Sequence, residues 1–262
     1  MNRLTDLFGK KDKNILSIFF TAGYPEADST VSIIEALNNR GIDMVEIGIP
    51  FSDPMADGPV IQASSAKAIA GGMTLRKLLS QVKQARAIVT DMPFILMGYM
   101  NPVMHYGIEK FFHDAHESGV DGLIIPDLPF DDYISDFKNL SMCYDMPVIM
   151  LITPETSPER IRLIDNHCDG FIYMVSAAST TGAKDSYSKD QLDYFQRINR
   201  MNLKHNRLIG FGISNHKTLI QAQANASGAI IGSHFIKCLD IAEGNPNKAV
   251  DLLLASIGRE SK

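Results

Sequence analysis

Three cysteines, Cys143, Cys168 and Cys238, are too few and too scattered for a disulfide framework or a CxxC metal site. They read as buried, reduced thiols. Long apolar runs are missing too. The start, MNRLTDLFGKKDKN, is too polar for a signal peptide, and the run at 15–20 that follows is far shorter than the roughly 18 residues of a membrane span. There is no basic excess: 25 Lys and Arg stand against 30 Asp and Glu, and only Lys10, Lys11 and Lys13 cluster. A surface tracking a phosphodiester backbone is therefore not expected. These absences point to a cytoplasmic protein whose partners include neither nucleic acid nor membrane. No linker, low-complexity segment or long repeat interrupts the chain, so residues 1–262 are expected to form one domain. Its 45% apolar residues are enough for a full core.

Eight short apolar runs recur at even spacing: ILSIFF (15–20), DMVEIGI (43–49), FILMGYM (94–100), DGLIIPD (121–127), PVIMLIT (147–153), DGFIYMVS (169–176), RLIGFGI (207–213) and GAIIG (228–232). Near-continuous Ile, Val, Leu and Phe is the pattern of parallel strands covered on both faces. Helical stripes separate them. Thr74 caps one carrying Leu75, Leu78, Leu79 and Val82, and Ser157–Pro158 opens another. Tyr133, Ile134, Phe137 and Leu140 form a stripe, Ser214 is expected to cap a helix, and Asn245–Pro246 starts the last. Gly41 ends the first stripe. Eight strand–helix units in about 250 residues predict an α/β fold, a single-domain (β/α)8 or TIM barrel. A doubly wound sheet would need fewer strands or a break in the spacing.

In such a barrel, chemistry belongs at the C-terminal ends of the strands. Glu46 lies inside strand 2, and alternation sets it on the face opposite Val45, Ile47 and Ile49. A carboxylate there is either functional or paired with an inward base; the only base in a strand is Arg207, at the start of strand 7. The next loop (50–62) holds Asp53 and Asp57, each readable as a site residue, an Asx turn or a helix cap. FGIS (211–214) and GSHF (232–235) close strands 7 and 8. Gly212 and Gly232 could cradle a phosphate there, or simply allow tight turns. The third glycine of a dinucleotide fingerprint is missing after Gly210 and Gly212. Tyr99 and Tyr173 lie near strand ends, where each hydroxyl reaches the mouth or packs in the core. The loop 177–189 is long, small and polar, suited to a lid or to a solvated connection. His113 and His116 share a helix face without a third ligand, and the strands hold no lysine for a Schiff base.

The run VEIGIPFSDPMADGPVIQ (45–62) closely resembles the signature of the tryptophan synthase alpha chain family. Also in the family's order are FFTAGYP (19–25), MGYMNPV (97–103), GLIIPDLP (122–129), ITPETSPERI (152–161), TTGA (180–183), GFGIS (210–214) and GAIIGSHFIK (228–237). The resemblance implies cleavage of indole-3-glycerol phosphate to indole and glyceraldehyde 3-phosphate. It places the family's catalytic glutamate on Glu46 and its catalytic aspartate on Asp57. Substrate contacts fall on Phe19, Ile152 and Tyr173, and phosphate contacts on Gly182, Gly212, Gly232 and Ser233; Tyr99 and Thr181 are further candidates for binding the substrate. Pro50, Asp53 and Pro54 fall where the family meets its beta chain, a pyridoxal-phosphate enzyme, in an expected alpha2beta2 heterotetramer. The alpha chain itself uses no cofactor and no metal. Many members carry a glycine in the lid loop where this chain has Ser179.

Two other readings compete. An isomerase or epimerase of sugar phosphates would explain the phosphate loops but not the run at 45–62. A non-catalytic phosphoester-binding barrel would not need both Glu46 and Asp57.

Overall fold

The computed structural model describes residues 2–176 and 186–259. Eight strands close a barrel in chain order: β1 (Ile15–Thr21), β2 (Met44–Gly48), β3 (Phe94–Met97), β4 (Gly122–Ile124), β5 (Val148–Ile152), β6 (Phe171–Val175), β7 (Asn206–Gly210) and β8 (Gly228–Ile231). Each apolar run holds one strand, and every pairing is parallel, including β8 back onto β1. All residues of β1 to β4 are buried, as strands covered by helices outside and packed against each other inside must be.

The register decides which side chains look inward. Residues paired across parallel strands share a face, so Phe19, Glu46, Ile95 and Gly122 point the same way. Leu151, Tyr173, Leu208, Gly228 and Ile15 form a second rung. Ile15 and Phe19 are separated by an even number of residues, so both rungs lie on one face. That face is the interior. Glu46 on β2 and Tyr173 on β6 stand on opposite sides of the ring, yet Tyr173 feels the charge of Glu46.

Helix ends follow the local chemistry. Thr74, Ser157 and Asn245 each accept a hydrogen bond from a backbone N–H of their helix, with Pro158 and Pro246 in the first turn. Gly41 takes a positive φ after Ser29–Asn39. Two expectations are corrected. The cap expected at Ser214 is Asn215, which accepts from the Thr218 N–H in a reciprocal capping box. Tyr133–Phe137 forms a π-helical turn, whose extra residue per turn moves Ile134 off the buried stripe and leaves it 37% exposed. Cys168 and Cys238 are buried and free, but Cys143 ends a helix and is exposed.

The polar start hides a helix. Arg3–Lys10, capped by Asn2, buries Leu4 and sets the Phe8 ring 5.9 Å from Phe171 at the start of β6. Asn2 Nδ2 donates to the Asp121 carbonyl at 2.8 Å, and Asp121 accepts from Arg3 at 3.0 Å, Arg86 at 2.7 Å and the Phe94 N–H at 2.8 Å. This network seals the N-terminal end of the barrel.

Candidate active site

The other end holds the chemistry. Glu46 sits in the middle of β2 with its side chain in the barrel and no exposure at all. The Ser17 hydroxyl, from β1, donates to Oε1 at 2.8 Å, whereas Oε2 is buried and has no partner among the described residues. Burial penalises the ionised form and pushes the pKa up to about 8, and the serine bond opposes that shift only in part. The alternative of an inward base is not realised. Arg207 stands at the far end of β7, where it donates to Asn199 at 3.2 Å.

The loop after β2 carries Asp57, half-buried. Gly58, not Asp57, caps the helix Pro59–Ala70, so the aspartate is not consumed as a helix cap. Tyr99, just past β3, accepts the Ala56 N–H at 3.0 Å and lies beside the Asp57 carboxylate. Desolvation raises the Asp57 pKa, and the tyrosine hydroxyl pulls it down. Phe51 packs on the same ring at 5.4 Å between centroids, and Gln62 donates to the Asp57 carbonyl at 2.7 Å. Tyr99 is itself buried, tied into the loop as a post. Asp53 is exposed and accepts from Ser52 at 2.5 Å, with Pro50 and Pro54 half-buried on either side. Met55 at the tip of the loop is 86% exposed.

Tyr173 links the two carboxyl groups. Its pKa is raised first by burial, then by the negative charges of Glu46 and Asp57, both of which it senses. Phe19 lies beside them, against Gly48 and Gly232. A Cβ on Gly48 would come within 2.5 Å of the ring, and one on Gly232 within 3.2 Å. Ile152 is not in this group. It follows the inward Leu151, so its side chain turns to the helical shell, and it is fully buried, whereas Leu151 on the Tyr173 rung is partly exposed at the mouth. PVIMLI (147–152) is apolar throughout, so the strand has no polar marker to fix its phase.

The loops after β7 and β8 form the opposite rim. Phe211 and Gly212 both adopt positive φ, +70° and +78°, and the strain at Phe211 is held by two hydrogen bonds to its carbonyl. Ser176 Oγ donates at 2.9 Å from the end of β6, and Tyr187 Oη donates at 3.2 Å. Gly232 caps the helix Ser233–Ile241, with Ser233 exposed in its first turn. The first N–H groups of a helix have no intrahelical acceptor and face outward with the positive end of its dipole. Thr181 and Gly182, together with Ser179, lie outside the described residues.

A family model described as "Tryptophan synthase alpha chain" matches residues 6–261. The chain belongs to the tryptophan synthase alpha chain family. It is 56% identical over 257 residues to an alpha chain of Parabacteroides distasonis, covering 98% of this chain and 99% of that one. A Bacteroides fragilis alpha chain is 51% identical over 261 residues, covering 100% and 98%. Among solved structures, an alpha chain of Legionella pneumophila superposes with a TM-score of 0.87 at 33% identity, over 98% of this chain and 96% of that one. An M. tuberculosis tryptophan synthase in an aminoacrylate-bound form gives 0.84 at 27% identity, over the full length of both. As a tryptophan synthase alpha chain, the protein is a carbon–carbon lyase that cleaves indole-3-glycerol phosphate in tryptophan biosynthesis. Alpha chains work with a beta chain, to which pyridoxal phosphate belongs. Among the described residues, no cluster of His, Cys, Asp and Glu could hold a metal ion, and no helix is long and apolar enough to cross a membrane.

Proposed function

We propose that Glu46 is the general acid and base of the alpha reaction and that Asp57 stabilises the charge that develops on the indole ring. The observation that carries this reading is the Glu46 carboxyl, wholly buried at the barrel mouth and holding its proton to about pH 8, with Oε2 unpartnered among the described residues. Near neutrality the group is mostly protonated, as an acid must be at the start of the cycle. It delivers that proton to indole C3, and the ring becomes an indolenine cation. The resulting carboxylate then takes the proton of the hydroxyl on the glycerol carbon bonded to the ring. As that proton leaves, a carbonyl forms, the carbon–carbon bond breaks, and its electron pair returns to the ring. Indole and glyceraldehyde 3-phosphate result, and Glu46 has its proton back. The protonated ring is the electron sink, so no step calls for a cofactor in this chain.

Asp57, beside the ring N–H, would be worth the most when the cation exists. Tyr99 serves the substrate through Asp57, which it holds in place. Phe19, Tyr173 and Leu151 line the indole end, with Leu151 in the position expected of Ile152. Gly212, Gly232 and Ser233 would hold the phosphate on backbone N–H groups, with Gly182 and Thr181 supplied by the loop between β6 and the helix Lys189–Asn199. Pro50, Asp53 and Pro54 would face the beta chain in an alpha2beta2 assembly, and the exposed Met55 extends that surface. Residues 1–262 would act as one domain, in the cytoplasm.

The test is Glu46→Gln. Indole release should fall by about 10²–10⁴-fold while a glycerol-phosphate analogue binds within a few fold of normal. Normal turnover in that variant refutes the assignment. Asp57→Ala should cost at least about 10²-fold in kcat; a change confined to KM would reveal a binding role instead.

A further inference from the structure

Ser17 is the one polar side chain in the apolar run 15–20, and the reading above leaves it without a task. It sits on β1 two residues before Phe19, on the inward face, with no exposure. Its hydroxyl lies 2.8 Å from Glu46 Oε1, and among the described residues that oxygen is its only hydrogen-bond partner. We propose that Ser17 is a positioning residue for the acid–base cycle, donating to Oε1 and thereby assigning the mobile proton of Glu46 to Oε2, the oxygen that meets the substrate.

The assignment follows from counting hydrogens. A neutral carboxyl group has one carbonyl oxygen, which accepts, and one hydroxyl oxygen, which donates. With the Ser17 hydroxyl donating, Oε1 is the carbonyl oxygen and the carboxyl proton resides on Oε2; the reverse arrangement, with Oε1–H donating to Ser17, would leave the serine hydrogen unpaired and nothing on Oε2 to deliver. Oε2 is the buried atom with no partner among the described residues. It is a donor left with nothing to donate to until a basic carbon enters the cavity. Once the proton has gone, charge spreads onto Oε1, and the serine bond becomes charge-assisted and stronger. Ser17 therefore stabilises the carboxylate half of the cycle more than the acid half.

No neighbour does the same. Among the described residues, Ser17 alone hydrogen-bonds the Glu46 carboxyl; Tyr173 from β6 senses its charge, and Ile95 beside it on β3 is apolar.

This inference rests on Glu46 being the acid and base, and the experiment separates the two. Indole release is measured over a range of pH with the full chain, its Ser17→Ala and Ser17→Thr variants, and Glu46→Gln. Without the hydroxyl, the carboxylate loses its one donor. The alkaline limb of kcat should then move up by about one pH unit, and kcat should fall about tenfold, with KM little changed. Ser17→Thr keeps the hydroxyl and should restore both. In infrared difference spectra, the Glu46 carbonyl stretch should move to higher wavenumber in Ser17→Ala and stay in place in Ser17→Thr. A Ser17→Ala profile that superimposes on the native one overturns the proposal, whatever happens to stability. If Glu46→Gln is inactive while the Ser17→Ala profile stays put, only the serine assignment falls. If Glu46→Gln turns over normally, the acid–base reading falls with it.

Discussion

The two ends of the barrel treat a buried carboxylate in opposite ways. At the N-terminal end, Asp121 is nearly inaccessible, but Arg3, Arg86 and the Phe94 N–H all donate to it. Arg86 also stacks 3.5 Å over the Phe94 ring and donates to the carbonyls of Gly119, Val89 and Met92. Burial pulls the Arg86 pKa down to about 10, and Asp121 opposes that shift. At the C-terminal end, Glu46 is just as buried, yet it receives one hydroxyl and no cation. An acid surrounded by donors holds a fold together. An acid deprived of them is a poor structural element and a good proton carrier.

Three substitutions test this contrast. Asp121→Ala removes the hub and leaves Arg86 buried without its counter-charge, so urea denaturation should show a loss of about 3–5 kcal/mol. Turnover per folded molecule should stay native at a permissive temperature. A fall in kcat there would mean that the two ends are not independent.

Glu46→Gln should act in the opposite sense on stability. The folded chain keeps the Glu46 proton up to about pH 8, whereas the unfolded chain loses it near the ordinary 4.5. Between those values the folded state binds more protons, so raising the pH erodes stability through this group. The glutamine variant should therefore be more stable than the native chain by roughly 3 kcal/mol at pH 7 and by little below pH 4.5. Thermal unfolding of the two chains across that range checks it; a constant difference would place the effect elsewhere.

The smallest effect is expected for Tyr99→Phe. It keeps the ring that packs on Phe51 but removes the hydroxyl from Ala56 and Asp57, so kcat should fall about tenfold with the melting temperature almost unchanged. A loss confined to stability would make the tyrosine a packing residue only.

Much of this was legible in the amino-acid order. The eight strands announced themselves because parallel strands buried on both faces leave unmistakable apolar runs, and Glu46 stood out as a charge inside one of them. The helix Arg3–Lys10 did not, because its apolar stripe of Leu4, Leu7 and Phe8 is short and followed by lysines. The π-helical turn at Tyr133–Phe137 was hidden by a stripe that fits an α-helix equally well. Ile152 came with the family resemblance as a substrate contact, and the all-apolar run it lies in does not say which residues face inward. Only the pairing of Leu151 with Tyr173 settles that. Ser17 was visible as an oddity in ILSIFF, but its meaning needed the neighbouring strand, 29 positions further along the chain.

The aromatic rings that shape the cavity rest where methyl groups are missing: Phe19 against Gly48 and Gly232, Tyr173 against Gly210, where an added Cβ would come within 2.1 Å of the tyrosine oxygen. Each ring and its glycines amount to one piece of furniture, moved together or not at all. Attempts to fit bulkier indoles should therefore vary each ring together with its glycines, and Leu151 by itself. A lineage that drifts to a new substrate is expected to exchange ring and glycine as a matched set.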